Sequence, residues 1–202
     1  APTVRAGPLT DGASTFVGRE RELSVLAAVY GDCVWSPRAR AAIVTAPPGF
    51  GKSRLVREFL AGVREHEQPA EVWTARGDSM SKGSPFGMLA RLLRSTADID
   101  GGEPPPSQAR KLRDRMARSL PPGDVDRVAR FLGEVARIQY RPSESKAVVA
   151  ATQDARLMGA QIRRAFEDWL AAETAQRPIV IVLEDLDDGD KPSLEVIEAA
   201  RK

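Results

Sequence analysis

The sequence predicts an α/β fold built on a parallel sheet, and three observations carry that expectation. Ala41-Ala42-Ile43-Val44-Thr45-Ala46, then Pro47-Pro48-Gly49-Phe50-Gly51-Lys52-Ser53-Arg54-Leu55, reads as a buried strand, a Gly/Pro-rich turn and the start of a helix. Ile179-Val180-Ile181-Val182-Leu183 is short, β-branched and not alternating, the pattern of a strand covered on both faces. Between them, apolar residues recur every three and four positions, as in helices packed on a sheet.

Residues 1–14 are rich in Gly, Pro, Ser and Thr without periodicity and read as a flexible linker. Phe16-Val17-Gly18-Arg19-Glu20 leads into a helix beginning near Arg19, with Leu23, Leu26, Ala27 and Tyr30 on one face. Residues 31–40, with Pro37, are expected to form a loop into the first strand, 41–46. A helix follows from about Lys52 to about Arg64. Residues 70–76 read as a second strand ended by Gly77, and Pro85 is placed in the first turn of a helix carrying Met88, Leu89, Leu92 and Leu93. The region of about 98–145 holds two amphipathic helices, near 107–119 and 124–139, with Asp124 as N-cap of the second. Their arginines alternate with Glu and Asp and no aromatic stacking pattern appears. A solvated helical insertion is therefore favoured over a nucleic-acid face. A helix from Thr152 to about Glu173 bears Leu157, Met158, Ile162, Ala165, Phe166, Trp169 and Leu170. The third strand, 178–184, precedes a last helix opened by Lys191-Pro192-Ser193.

Composition narrows the function classes. The chain has 202 residues, 42% of them hydrophobic, which suffices for a substantial core. A formal charge of +2 from nearly balanced acids and bases gives no reason to expect nucleic acid or an anionic membrane as main partner. The single cysteine, Cys33, rules out an internal disulfide framework and fits a cytoplasmic setting. His66 sits in a polar helix end and reads as solvated. No apolar run nears the roughly eighteen residues a membrane span requires. Both chain ends read as cuts from something longer.

The chemistry concentrates in two places. Ala46–Ser53 matches G-x-x-x-x-G-K-[ST] except for Ala at its first position. Gly49 and Gly51 let the backbone curl with N–H groups inward, making a concave anion site that Pro48, Phe50 and Arg54 flank. The helix opening at about Lys52 adds its positive dipole end. Lys52 can reach the β- and γ-phosphates of a nucleoside triphosphate, and the Ser53 hydroxyl can ligate Mg²⁺. The second place is Glu184-Asp185, two carboxylates at the C-terminal end of a buried strand, where open α/β sheets bind ligands. One can hold Mg²⁺ while its neighbour polarises an attacking water. Asp187, Asp188 and Asp190 continue the acidity, but mutual repulsion leaves room for only one or two carboxylates near a metal. Phe16 and Val17 suit an apolar lip for an adenine ring, with Gly18 allowing close backbone approach.

Together, Phe16-Val17-Gly18-Arg19-Glu20, the Ala46–Ser53 loop and Leu183-Glu184-Asp185-Leu186 with Asp190-Lys191-Pro192-Ser193-Leu194 resemble the signal-transduction ATPases with numerous domains. These are AAA-like modules fused to bacterial serine/threonine kinase, adenylate cyclase or LuxR-type regulators. Ser84-Pro85-Phe86 and Asp154-Ala155-Arg156-Leu157-Met158 fall where that group has comparable segments, so the resemblance spans about 16–202. It implies a P-loop NTPase three-layer sandwich, here incomplete at the C-terminus, with the helical insertion between the second and third strands. Its first motif (Val17, Gly18, Arg19) contacts the base, and its second (Gly49, Gly51, Lys52, Ser53) the phosphates. Its third, Glu184 and Asp185, serves Mg²⁺ and water. The group commonly has His-Trp after Glu-Asp-Leu; here Asp187-Asp188 stand instead. It also implies that a further strand, beyond Lys202, separates the phosphate-loop strand from the acidic one.

Three functions follow as expectations: a slow ATP-hydrolysing switch within a larger signalling protein, a small-molecule kinase using the same loop, or a nucleotide-binding scaffold without turnover. Expected partners are ATP or ADP, other domains of the same chain, and a second copy through self-association.

Overall fold

The computed structural model describes residues 18–36, 38–79, 84–138 and 154–201. The expected linker at 1–14 and the Phe16-Val17 lip lie outside the described residues. Helix α1 (Glu20–Trp35) is followed by α2 (Lys52–Glu65), β1 (Glu71–Arg76), α3 (Gly87–Thr96), α4 (Pro105–Met116) and α5 (Pro122–Val135). Then come α6 (Ala155–Thr174), β2 (Ile179–Glu184), a 3₁₀ turn (Leu186–Asp188) and α7 (Lys191–Ala199).

The strands β1 and β2 pair in parallel, with Glu71 opposite Ile179, Trp73 opposite Ile181 and Arg76 opposite Glu184. One face of this ribbon carries Trp73 and Ala75, against which Ile179, Ile181 and Leu183 line up with the main core. The alternate positions Val72, Thr74, Val180 and Val182 point the other way and stay outside the fully buried set. β2 is thus only half-buried along its length, not covered on both faces as its composition suggests.

The mixed α/β architecture with its parallel sheet is as expected, but its strand count is smaller. Residues 41–46 form no strand, and Ile43 is 77% exposed. A β-branched segment gains nothing from extending unless a ladder pairs its N–H and C=O groups. The described sheet is β1 with β2 alone, so 41–46 has no partner. Smaller differences have local causes. α1 runs on through Gly31 to Trp35, since a single interior Gly costs only about 1 kcal/mol. α5 starts at Pro122, whose fixed φ suits a first helical position, so Asp124 lies in the first turn and not at the cap.

The insertion helices are structural, not peripheral. Leu112 and Met116 of α4 and Val128 and Leu132 of α5 are fully buried, with Phe131 nearly so, and they pack against Phe166 and Trp169 of α6. Their charged faces remain outside, apart from Arg115. Its guanidinium is buried and paired with the fully buried Glu173, and it reaches Glu71 at 2.8 Å. It also lies 5.7 Å from the Trp73 ring centroid and 5.4 Å from that of Trp169, which stack on each other at 4.5 Å. Ser119 Oγ donates to Glu173 at 2.6 Å, and Trp169 Nε1 at 3.1 Å. Burial pushes the Glu173 carboxyl up, but Arg115 and these donors outweigh it and hold the group below its ordinary range.

A second buried carboxylate staples the sheet's C-terminal end. Asp190 caps α7 by accepting from Ser193 N–H at 2.8 Å, and also accepts from Phe86 N–H at 2.8 Å and Met88 N–H at 2.9 Å. Ser193 Oγ donates to Asp190 at 2.8 Å and accepts from Leu89 N–H at 2.9 Å. One acid therefore serves the N-termini of both α3 and α7, orphan donors that would otherwise be buried unmet. Phe86, at φ 62, ends the approach to α3, so Pro85 stays outside that helix.

Two consequences are measurable. Glu173→Gln removes the main counter-charge of a buried guanidinium and should cost about 3 kcal/mol in urea unfolding. Desolvation raises the Asp190 pKa, but its four hydrogen bonds lower it more, leaving it below the 3.8 of a free Asp. Its contribution is therefore complete above that value and is lost as pH falls through the lower folded pKa. Asp190→Asn should destabilise the chain at neutral pH and flatten its acid unfolding curve below pH 4 (roughly the free carboxylate value), followed by circular dichroism.

Candidate functional site

The first group of candidate residues lies between α1 and α2. These helices pack through Tyr30, whose ring meets Phe59 edge-on at 6.4 Å and His66 at 5.1 Å. Leu55, Leu60 and Val63 are buried beside them. His66 is thus a packing residue and an acceptor for Gln68 N–H at 3.1 Å, more engaged than its polar neighbours suggest.

The 46–53 loop turns through Gly49 at φ 81 and Gly51 at φ 77, left-handed values that side chains rarely tolerate. Gly51 is the N-cap of α2 and offers no side-chain acceptor to the first turn of the helix. Leu55 N–H returns to Gly51 O at 2.9 Å. Lys52 Nζ folds back on the loop, donating to Ala46 O at 2.6 Å and Pro47 O at 3.2 Å. Pro48, Gly49, Phe50 and Ser53 are exposed, and Arg54 is half-buried beside Glu58 at 3.5 Å. A glycine turn, a helix N-terminus and a lysine together are the elements that suit a polyanion.

Arg19 joins this loop directly. Arg19 Nη2 donates to Phe50 O at 2.8 Å across 31 positions of sequence. The spacing of the two motifs suggested cooperation but not which atoms meet. Val17 lies outside the described residues.

The second group lies at the C-terminal end of β2. Asp185 sits at φ 51, uncommon for a residue with a side chain, and its carbonyl accepts Asp188 N–H at 3.0 Å. Its Oδ2 accepts from Arg76 Nε at 2.5 Å, 109 positions away, and this bond raises the Arg76 pKa further. Gly77 N–H donates to Glu184 O at 2.8 Å. A Cβ on Gly77 would stand 2.1 Å from Asp185 O, so only glycine admits this approach. Arg91 donates to Arg76 O at 2.8 Å and pairs with Asp78. Arg76 and Gly77 were not foreseen as neighbours of the acidic pair, because nothing local in the sequence reports the register of a parallel ladder. Asp190, expected only as one more acid in the run, is committed to helix capping. An Asp three residues before a Ser, with Pro between, is the signal that could have shown it.

Among the described residues, no hydrogen bond or ion pair joins Lys52 or Ser53 to Glu184 or Asp185. No group of three or more His, Cys, Asp or Glu there could hold a metal by itself. The oxygen donors present, Ser53 and Glu184, are hard ligands of the kind Mg²⁺ accepts alongside phosphate oxygens and water. No described helix is long and apolar enough to cross a membrane.

Comparison with known proteins agrees with the mixed α/β fold. The AAA ATPase domain family matches residues 15–201 of the chain. No curated protein and no solved structure matches significantly. The match covers the loop at the start of α2, both strands and the acidic end of β2, and the chain belongs to the AAA ATPase domain family.

Proposed function

We propose that this chain is the ATP-binding and slowly ATP-hydrolysing switch of a larger cytoplasmic bacterial regulator, a member of the signal-transduction ATPases with numerous domains. The observation that carries this reading is the 46–53 loop, with glycines at positive φ on the N-terminus of α2 and Lys52 folded over it. In this reading the loop N–H groups and Lys52 hold the β- and γ-phosphates. Pro48, Phe50 and Arg54 border them, and Val17 and Gly18 lie on the base side. Ser53 and Glu184 hold Mg²⁺, which neutralises charge developing on the transferred phosphoryl group. Asp185, oriented by Arg76, polarises the attacking water.

Residues 15–202 then form the N-terminal part of the ATPase module, preceded by a linker at 1–14 and working with other domains of the same chain. The unpaired 41–46 segment supports this, because the resemblance seats another strand between it and β2. The same unpaired backbone favours self-association of the chain by itself. Direct nucleic-acid binding is not part of the reading.

Lys52→Ala should abolish measurable ATP binding in a protein that still folds, because the phosphates lose a charged partner. Unchanged affinity by calorimetry would sink the loop assignment. Glu184→Gln and Asp185→Asn should both leave nucleotide bound while phosphate release falls on the order of 10²-fold. Turnover equal to wild type in both variants would remove the pair from the site. Transfer of phosphate to an added small-molecule acceptor in place of water would instead favour the kinase reading, and nucleotide binding with no turnover the scaffold.

A further inference from the structure

We infer that Arg19 is a positioning residue that orients the 46–53 loop toward its anion, and not a contact to the nucleotide base. The inference rests on the phosphate-loop reading above. The guanidinium donates to Phe50 O at 2.8 Å. Phe50 lies between Gly49 and Gly51, both at positive φ, so no flanking Cβ restrains its carbonyl, and its own N–H makes a long 3.4 Å bond back to Pro47 O. The residue is 59% exposed, which gives packing little hold on this stretch. The carbonyl is the handle.

The consequence follows from peptide geometry. Cis bonds are absent among the described residues, and in a trans peptide the C=O and the next N–H point to opposite sides. Holding Phe50 C=O toward Arg19 therefore turns Gly51 N–H the other way, at the N-cap of α2. Donors in this position receive an anion best when they need no reordering on binding.

Arg19 is itself held. Its Nη1 lies 3.5 Å from Glu22 Oε1, and its own carbonyl accepts Leu23 N–H at 3.0 Å. Gly18, at φ 87, turns the chain just ahead of it and donates N–H to Glu20 Oε1 at 3.0 Å. That bond, with Glu20's own N–H, keeps the Glu20 carboxyl below its ordinary range, so the turn stays closed at neutral pH. With one arm on a loop carbonyl and the other near a carboxylate, the guanidinium is committed to α1 and the loop.

The test separates phosphate from base. Wild type, Arg19→Gln and Arg19→Lys are titrated calorimetrically with ATP, GTP, inorganic tripolyphosphate and adenosine. Arg19→Gln should bind ATP and tripolyphosphate about tenfold more weakly, the scale of one charge-assisted hydrogen bond, with adenosine affinity and the ATP-to-GTP ratio unchanged. Arg19→Lys, which keeps a donor, should recover part of the loss. In ligand-free protein the Gly51 amide resonance should move in Arg19→Gln while those of α2 beyond its first turn stay in place. Unchanged tripolyphosphate affinity with a loss for adenosine, or an altered ATP-to-GTP ratio, overturns the inference and returns Arg19 to the base. So does failure of both variants to fold, since a loop-orienting surface residue is not needed for the helices to form. If the wild type binds neither ATP nor tripolyphosphate, the phosphate-loop reading itself falls, and the inference with it.

Discussion

The parallel pairing of β1 with β2 is the constraint on which the rest depends. It brings Arg76 and Asp185 together across 109 positions of chain, and the closure entropy of so long a loop must be offset elsewhere. The offset comes from behind the ribbon, where Trp73, Trp169, Phe166 and Phe131 are almost completely buried with the leucines of α3, α4 and α5. At about 25 cal/mol per Å² of apolar surface, such side chains supply the largest favourable term available to a chain of this size. The ladder's own hydrogen bonds contribute less net energy but fix the register. Register is what sets Arg76 opposite Glu184 and lets Gly77 meet the Asp185 carbonyl.

Charge inside this molecule serves architecture more than chemistry. Arg115 and Glu173 are desolvated together, and a lone charge there would be costly, so the pair specifies how α4 and α6 meet β1. The stacked tryptophans add a second face to the same cation. Asp190 does comparable work at the opposite end, satisfying N–H groups of two helices with one carboxylate. These acids lie within or close to the apolar shell, whereas Asp185 and Arg76 are exposed to solvent. An ion pair at the surface is weak in energy and easily rearranged, which suits a group that must exchange partners when a cation or substrate arrives.

The loop at the head of α2 obeys different physics. Its shape comes from neighbours in sequence: two glycines at positive φ, a helix cap without a side chain, and a lysine that bonds carbonyls a few residues back. No sheet is needed to form it, which is why it is complete while 41–46, one step upstream, is not a strand. Arg19 adds a long-range contribution, a hydrogen bond to the Phe50 carbonyl between the two glycines.

That contrast separates what the sequence by itself determined from what only the tertiary structure decided. Helical periodicity, the glycine-lysine loop, and the β-branched run of β2 with its acidic end were legible because each is a property of a short window. Family membership followed from the same windows in order. The two insertion helices were legible as amphipathic, yet their burial was not, since a 3.6-residue stripe does not say what covers it. The partner of Asp185, the double duty of Asp190 and the buried seat of Arg115 were invisible for the same reason. Each depends on strand register or helix docking between residues far apart, and no local pattern encodes a distance across the fold. The apolar segment 41–46 errs in the other direction: its composition is that of a strand, but a strand exists only where another backbone pairs with it.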